Sequence, residues 1–285
     1  MNILVTGSNG QLGSELKFVS EQYNNFNYIF TDLEDLDICN RDKIEEFVLK
    51  YKIDCIINCA AYTNVYKAQI EPMLCDIINH IAPINLANIA NKYDIWLIHI
   101  STDYVFDGLK NIPYTEEDYT NPQSVYGQTK LRGENEILKI NKKTLIIRTS
   151  WLYSVFGNNF VKNILKASNT KDNIDVVYDQ IGTPTNARDL ANAINIMINQ
   201  GLKNGIYHYS NEGVCSWYDF AKSIVDLNGK KCEVIPIKTK DLQNNTVDRP
   251  NYSVLDKSKI KQTYGLKIKH WYESLKDVIY QFNIF

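Results

Sequence analysis

The 285-residue chain lacks several features that mark membrane, metal-binding or nucleic-acid-binding proteins. No apolar run approaches the ~20 residues that a membrane-spanning helix needs. The formal net charge is only −2, which argues against nucleic acid or an anionic membrane surface as the partner. The six cysteines form no Cys-x-x-Cys pair. Neither the cysteines nor the four histidines show the spacing of metal ligands, so we expect no metal site.

These absences also indicate where the protein works. Without a disulfide pattern, the cysteines are interpreted as reduced packing residues of a cytoplasmic protein. Residues Met1–Val5 already read as a buried strand, so no signal peptide is expected. The histidines have no triad or metal partner in the sequence and are interpreted as structural: His80, His99, His208 and His270.

What the chain does contain fits an α/β protein. Hydrophobic residues make up 44% and charged residues 22%, and the length suffices for a full α/β core. Short apolar runs alternate with runs of helical periodicity, the pattern of a parallel sheet whose strands are joined by helices. The strands of this sheet are predicted at 3–5, 28–30, 55–57, 95–100, 145–147 and 205–209. The long helix before the fourth strand is predicted to align Ile78, Ile81, Asn85, Ile89 and Ala90 on one side.

A glycine-rich turn follows the first predicted strand. Its pattern is Gly7-x-x-Gly10-x-x-Gly13, and a helix follows it. Such glycines let the backbone approach a pyrophosphate at a helix N-terminus. Asp32 ends the second strand about 20 residues after Gly13, where a carboxylate binds the ribose 2′-hydroxyl of a dinucleotide. The turn alone would also fit an ordinary strand-to-helix connection, but with Asp32 it predicts a dinucleotide site.

A Tyr-x-x-x-Lys pair, Tyr126 and Lys130, lies on a later predicted helix. Residues four apart share one helix face, so a phenol lies beside an ammonium. A nearby positive charge favours the phenolate and would lower the pKa of Tyr126, making it a usable general acid. Thr102 adds a hydroxyl at the carboxyl end of the fourth strand, although a cap or turn role also fits it. With 19 tyrosines in the chain, the pair gains meaning only beside a dinucleotide site.

Motifs along the chain resemble those of extended short-chain dehydrogenase/reductases. They are Gly7-x-x-Gly10-x-x-Gly13, Asn58-x-Ala60-Ala61-Tyr62, Ser101–Gly108 and Tyr126-x-x-x-Lys130. A second set resembles the dTDP-4-dehydrorhamnose reductase family within that superfamily. It comprises Gly10-Gln11-Leu12-Gly13, Asp103–Gly108, Arg148–Tyr153, Asp179-Gln180-x-Gly182-x-Pro184-Thr185 and Arg249-Pro250-x-x-Ser253-x-Leu255-Asp256. The likeness keeps its order over essentially the whole chain.

The resemblance implies a role for each matching residue. Tyr126 would donate the proton, Lys130 would lower the pKa of Tyr126 and bind the nicotinamide ribose, and Thr102 would hydrogen-bond the reacting oxygen. The residues implied to hold NADH or NADPH are Gly7, Gly10, Gln11, Leu12, Gly13, Asp32, Asp37, Ile38, Ala60, Ala61, Tyr62, Thr63, Tyr126 and Lys130. The residues implied to bind substrate are Thr102, Asp103, Phe106, Trp151 and Arg249, with the Arg249 guanidinium suited to a diphosphate. Asn79 matches the helix asparagine that orders the site.

The implied reaction is reduction of the C4 ketone of dTDP-4-dehydro-6-deoxy-L-mannose to dTDP-L-rhamnose by NADH or NADPH. The implied fold is a Rossmann-like doubly wound parallel sheet with a smaller C-terminal substrate-binding lobe. Residues 1–150 would form the NAD(P)-binding domain, with 184–210 returning to it. Residues 151–183 and 211–285 would form the lobe. The partner is a nucleotide sugar, and the oligomeric state stays open, a homodimer being one option.

Two other functions fit parts of the pattern. A nucleotide-sugar epimerase or dehydratase shares the fold, but it retains its cofactor and needs an extra acid or base beside Thr102, where this chain has Asp103. A regulatory subunit of methionine adenosyltransferase also resembles the reductases along their length. The chain departs from the reductase pattern after Thr63, because Tyr66 and Gln69 stand where the family has carboxylates. No carboxylate cluster supports the magnesium ion that some members carry.

Overall fold

A six-stranded parallel sheet organises the computed structural model, which describes residues 1–23, 25–242 and 248–284. In chain order the strands are β1 (Asn2–Thr6), β2 (Asn27–Thr31), β3 (Cys55–Asn58), β4 (Trp96–Thr102), β5 (Thr144–Thr149), β6 (Leu152–Tyr153), β7 (Asn173–Val177), β8 (Ile181–Gly182), β9 (Thr185–Asn186), β10 (Gly205–His208), β11 (Cys215–Ser216) and β12 (Glu233–Ile237). The central sheet has the order β10-β5-β4-β3-β1-β2. The strands predicted for this sheet are therefore confirmed.

Helices cover both faces of the sheet. In chain order they are α1 (Gln11–Ser20), α2 (Arg41–Tyr51), α3 (Val65–Ile70), α4 (Pro72–Asp76), α5 (Ala82–Lys92), α6 (Val125–Ile140), α7 (Phe160–Ser168), α8 (Ala187–Gln200), α9 (Trp217–Leu227), α10 (Ser258–Tyr264) and α11 (Trp271–Ile284). A π-helical turn (Ile77–Ile81) joins α4 to α5, and 3₁₀ turns cover Asp103–Val105 and Thr239–Asp241. Among the described residues, no helix has the length and apolar character to cross a membrane.

Two hydrophobic cores, one on each face, hold the helices to the sheet. One core joins residues of β1, β3 and β5 to α1, α8 and α10. The other joins the opposite side chains of β1, β3 and β4 to α2, α5 and α6. Such two-sided burial explains why the central strands read as continuous apolar runs. The architecture is the Rossmann-like, doubly wound α/β fold that the sequence predicts.

The order of the sheet decides where ligands can bind. The chain runs outward from β1 to β2 and then returns to the other side of β1, where β3 and β4 follow. In open α/β sheets the crevice forms beyond the carboxyl ends of the strands, at the point where this order reverses. The loops after β1, β3, β4 and β5 all open at that edge.

The buried face of the α4–α5 helix differs from the predicted one. Ile81 was expected on the inner side with Ile78 and Ile89, but it is 41% exposed. The π turn inserts an extra residue into the helix at this point, which rotates the following residues relative to a regular 3.6-residue repeat. After the turn Ile89 and Ala90 are buried, as predicted, and the other buried side chains are Ala82, Pro83, Leu86 and Ala87.

A third core lies beyond the carboxyl edge of the sheet. It gathers apolar side chains of α7, α9, α11 and the small strands, with Phe220 and Leu275 fully buried. Ser216 and Asp219 form a capping box at the start of α9. The segment at α10 packs differently, because Ile260 and Tyr264 join the core on the sheet.

Candidate active site

A cleft of about 600 Å³ opens at the carboxyl ends of β1, β4 and β5. It brings together residues that are far apart in sequence. The predicted residues that line it are Gly7, Gly10, Gln11, Leu12, Gly13, Ala61, Thr63, Thr102, Asp103, Tyr126, Lys130, Trp151 and Arg249. A glycine-rich turn and a Tyr–Lys pair therefore face one another across a single space.

The glycine-rich turn is shaped for close approach by a ligand. Gly7 has φ +67°, and a Cβ there would lie 2.6 Å from the Ala60 nitrogen. A Cβ on Gly13 would lie 2.4 Å from the Gly7 oxygen. Only glycine fits both positions, so the turn stays tight, and the first residues of α1 (Gln11, Leu12 and Gly13) line the cleft.

A neighbouring cleft of about 360 Å³ continues along the ends of β1, β2 and β3. It is lined by Asp32, Asp37, Ile38, Ala60 and Ala61 together with Gly7 and Gly10, which it shares with the larger cleft. The Asp32 carboxylate is held by the backbone N–H groups of Asn9 and Leu33, each at 2.8 Å. The shared glycines link a fixed carboxylate to the Tyr–Lys pair, which is the layout that an extended dinucleotide needs.

Thr102, Tyr126 and Lys130 meet where β4 and α6 converge. Ser124 caps α6 by accepting a hydrogen bond from Gly127 N at 3.1 Å, which places Tyr126 in the first turn. Thr102 Oγ1 accepts from Tyr104 N at 3.2 Å, so it also fills the turn role that its sequence context allows. Lys130 is 1% exposed, and its Nζ donates to Ile100 O at 2.6 Å.

The electrostatics of this group differ from the expectation. Burial raises the pKa of Tyr126, and a side-chain hydrogen bond with Thr102 opposes that rise. The Nζ of Lys130 is turned towards Ile100 O and His99 Nε2. Burial lowers the pKa of Lys130 itself to about 8. Burial therefore favours the neutral form of both groups more strongly than water does.

Asp103 is a buried carboxylic acid beside the reacting groups. Its side chain is 2% exposed, and Oδ1 accepts a hydrogen bond from Thr102 Oγ1 at 3.1 Å. Burial raises the pKa of Asp103 to about 6, and the bond from Thr102 opposes this. The carboxyl group therefore changes charge within the range in which enzymes are usually assayed.

Replacing Asp103 with asparagine is expected to stabilise the protein in a pH-dependent way. Because the folded pKa, about 6, lies above the ordinary value of 3.8, the folded wild type loses stability as pH rises between these values. The variant lacks that loss, so its gain in melting temperature over wild type should grow from pH 4 to pH 6 and then level off. Asp118→Asn is the control: because Lys110 lowers the pKa of that carboxyl below its ordinary value of 3.8, its titration lies below this window, and the effect of the substitution on melting temperature should change little from pH 4 to pH 6. A gain in melting temperature that does not depend on pH would contradict an effect of burial on the charge of the Asp103 carboxylate.

Trp151 contributes an aromatic wall, and Trp217 extends it. The two rings stack with centroids 3.6 Å apart and planes 10° from parallel. Trp151 has φ +47°, and its ring occupies the space that a side chain at Gly182 would need. Trp217 lines the cleft but was not predicted as a site residue, because only the folding of α9 against Trp151 brings it there. Its one signal in the sequence is an aromatic residue directly after a helix cap.

Two predicted residues lie outside both clefts. Phe106 is fully buried in a small core, where it stacks on Tyr114 with centroids 4.3 Å apart. Phe106 directly follows the 3₁₀ turn Asp103–Val105 and lines neither cleft. The Tyr62 hydroxyl bonds Glu71, and its backbone N and O bond the Asn79 side chain at 2.9 and 3.0 Å. Asn79 thus orders the loop after β3.

Comparison with known proteins places this site in a family. A sequence model described as the RmlD substrate binding domain matches residues 1–284. The chain belongs to this family. It is 37% identical to a dTDP-4-dehydrorhamnose reductase of Aggregatibacter actinomycetemcomitans, over 97% of each chain. It is 35% identical to the Escherichia coli K12 protein of the same name, over 98% of this chain and 97% of the relative.

Solved structures of the family agree with the architecture. A dTDP-4-dehydrorhamnose reductase from Clostridium acetobutylicum superimposes with a TM-score of 0.95 at 43% identity, over 99% of this chain and 100% of the other. A Bacillus anthracis dTDP-4-dehydrorhamnose reductase in complex with NADP gives 0.92 at 36% identity, over 98% and 99%. A dTDP-glucose 4,6-dehydratase from the same organism gives 0.84 at only 18% identity, which shows a shared fold.

Proposed function

We propose that the chain reduces the C4 ketone of dTDP-4-dehydro-6-deoxy-L-mannose to dTDP-L-rhamnose, using NADH or NADPH. The observation that carries this proposal is the meeting of the glycine turn with Thr102, Tyr126 and Lys130 in one cleft. Membership of the RmlD family gives the substrate class. The named relatives are dTDP-4-dehydrorhamnose reductases, and the match covers 97% of each of them.

The residues present fit a dinucleotide. The Gly7–Gly13 turn would take the pyrophosphate, since a Cβ at Gly7 or Gly13 would collide with backbone. Asp32 and the Asp37–Ile38 segment would hold the adenosine half, and Ala60–Thr63 would border it. Lys130 would hold the nicotinamide ribose. The bound coenzyme supplies a hydride, and the Asp32 carboxylate disfavours a 2′-phosphate by charge without excluding NADPH.

The protein's own groups would handle the proton and the charge. Tyr126 Oη gives its proton to the oxygen that becomes the C4 hydroxyl. Thr102 hydrogen-bonds the same oxygen, and the protonated Lys130 stabilises the negative charge as it develops. Holding the ketone between these groups and the coenzyme supplies further acceleration through orientation.

The substrate would lie between the catalytic group and the C-terminal lobe. Asp103 and Trp151 border the sugar side of the cleft, and Trp217 lies behind Trp151. Arg249 is exposed at the rim, where its guanidinium can meet the diphosphate. Phe106 supports this region from the core and is not assigned a direct contact.

We extend the proposal to the division of the chain. Residues 1–150 with 184–210 would bind the coenzyme, and 151–183 with 211–285 would bind the sugar nucleotide. The separate third core supports this division. The packing of α10 on the sheet requires the chain to cross back once more near residue 258. Free thiols at all six cysteines favour a reducing, cytoplasmic location.

A homodimer is supported by an exposed apolar surface on α3, α4 and the π turn. The surface, named here the α4 patch, consists of Tyr66, Ile70, Met73, Leu74, Ile77 and Ile81, each more than 40% exposed. A contiguous patch of this kind marks an interaction site, and a twofold dimer pairs one patch with its own copy. Tyr66, which replaces a carboxylate of the family pattern, makes the patch less polar.

Met73→Glu is expected to weaken this dimer. A carboxylate at the centre of the α4 patch would have to be desolvated in the interface, which opposes association. Light scattering after gel filtration should show a dimer for wild type and a monomer for Met73→Glu. Leu109→Glu changes an equally exposed side chain outside the α4 patch and should leave the dimer intact. Equal molar masses for wild type and Met73→Glu would contradict a dimer formed through the α4 patch.

The function is tested with purified protein, dTDP-4-dehydro-6-deoxy-L-mannose and NADH or NADPH. The proposal expects stoichiometric loss of reduced coenzyme and formation of dTDP-L-rhamnose. An epimerase or dehydratase would instead turn over without net coenzyme consumption. Coenzyme binding without any turnover would favour the non-catalytic, regulatory-subunit role.

A further inference from the structure

A chain of buried polar side chains runs from β1 to the catalytic lysine. Asn58 Oδ1 accepts from Thr6 Oγ1 at 2.8 Å and from Ala60 N at 3.2 Å. The Asn58 amide nitrogen lies 3.0 Å from His99 Nδ1. His99 Nε2 lies 3.2 Å from Lys130 Nζ. His99 has no exposed surface, so this contact is closed to water.

The hydrogen-bond donors and acceptors around His99 determine which nitrogen of its ring carries the proton. A backbone N–H can only donate, so Ala60 N turns the oxygen of the Asn58 amide towards itself and the –NH₂ group towards His99. His99 Nδ1 must then accept. Burial and the neighbouring Lys130 hold the pKa of His99 well below its usual range, so the ring is neutral and carries one proton. That proton is on Nε2, which faces Lys130.

We propose that His99 is a positioning residue that donates a hydrogen bond from Nε2 to Lys130 Nζ and favours the uncharged form of that lysine. An ammonium on Lys130 has only hydrogen-bond donors, so one of its N–H groups would face the Nε2–H of His99 with no acceptor between them. The uncharged amine accepts from His99 Nε2 and still donates to Ile100 O at 2.6 Å. The proposal rests on the proposed function only in giving Lys130 its part in the reduction.

Other groups around Lys130 act in the opposite direction or not at all. Glu134, on the same helix, raises the pKa of Lys130, and Cys75 on α4 and Cys59 after β3 would do so only as thiolates. His99 on β4 is therefore the one polar side chain among these neighbours that opposes the charge by a directed hydrogen bond. It works with burial, which lowers the pKa of Lys130 to about 8.

The hydrogen bond from His99 helps to determine the pH above which activity falls. Reduction needs the Lys130 ammonium, so activity falls as pH rises through the pKa of Lys130. Loss of the His99 donor removes stabilisation of the amine. A typical hydrogen bond corresponds to a shift of roughly half to one pH unit, so the pKa of Lys130 should rise by about that amount.

The direct test is a titration of Lys130 in protein labelled with [ε-¹³C]lysine, its signal assigned by its absence in Lys130→Met. The pKa should be higher in His99→Leu than in wild type. Asn58→Asp should raise the pKa of Lys130 as well. A carboxylate at position 58 can only accept a hydrogen bond, so it favours the tautomer of His99 that is protonated at Nδ1, and Nε2 then accepts a hydrogen bond from the ammonium. The negative charge acts in the same direction. His208→Leu removes another buried, neutral histidine away from Lys130 and should leave the pKa unchanged.

The alkaline limb of the pH–kcat profile should move with the titration. An unchanged or lower pKa of Lys130 in His99→Leu would overturn the proposal, because Nε2 would then be idle or accept from an ammonium. If His99→Leu does not fold, the same criterion applies to Asn58→Asp. The titration does not require turnover. An inactive wild type would therefore contradict the proposed function, while the titration would still test the role of His99.

Discussion

Replacing Tyr126 with phenylalanine is expected to lower kcat for ketone reduction by about 10²–10⁴-fold, the usual contribution of a positioned general acid. The variant keeps the ring and loses only the hydroxyl that donates the proton. The ring lies partly buried between Thr102 and Tyr104, so packing should be preserved. Coenzyme affinity, measured by fluorescence titration, and melting temperature should stay close to wild type.

Tyr104→Phe is the matched control. Its ring meets that of Tyr126 edge-on with centroids 5.6 Å apart, and both line the same cleft. Tyr104 lies on the 3₁₀ turn and lacks a lysine one helical turn away, so its hydroxyl is not assigned the proton transfer. It should retain most of the activity. Similar losses in both variants would indicate a general disturbance of the cleft and contradict the role of Tyr126.

The largest effect on stability is expected at the buried ion pair between β5 and α6. Arg148 Nη2 donates to Glu134 Oε2 at 2.7 Å, and Arg148 Nε donates to Oε1 at 3.0 Å. The side chains are 3% and 0% exposed. Removing one partner leaves the other charge buried and unpaired, so Arg148→Leu should lower the free energy of unfolding by about 3–5 kcal/mol. Urea denaturation measures this loss.

Two further variants separate the charge from the packing. The double variant Arg148→Leu/Glu134→Leu removes both charges and should recover part of the stability. Lys139→Ala breaks the exposed pair with Glu136 on the same helix and should have no measurable effect. If the double variant is less stable than Arg148→Leu, the loss of stability in the single variant comes from altered packing and not from the unpaired charge.

The parts of the fold that follow from local chemistry were predictable. The turn at Gly7 and the strands beside it need only short-range sterics and apolar patterning. Asp32 was found because the spacing from the turn is set by one helix and one strand. The structure places both in adjoining clefts.

Tertiary packing decides the parts that were not predictable. Ile81 turns outward because a π turn changes the helical phase, and no pattern in the sequence marks that turn. Phe106 leaves the cleft because Tyr114 offers it a buried stacking partner. His99, interpreted from sequence as structural, contacts Lys130 because β4 and α6 pack side by side.

The most direct test of the central claim follows the hydride itself. Wild-type protein is supplied with dTDP-4-dehydro-6-deoxy-L-mannose and coenzyme carrying deuterium at the transferable position of the nicotinamide. We predict one deuterium at C4 of the product sugar, with one coenzyme oxidised per product, by mass spectrometry and NMR. Product without deuterium, formed while the coenzyme stays reduced, would contradict the reductase and point to isomerisation or dehydration on the same fold.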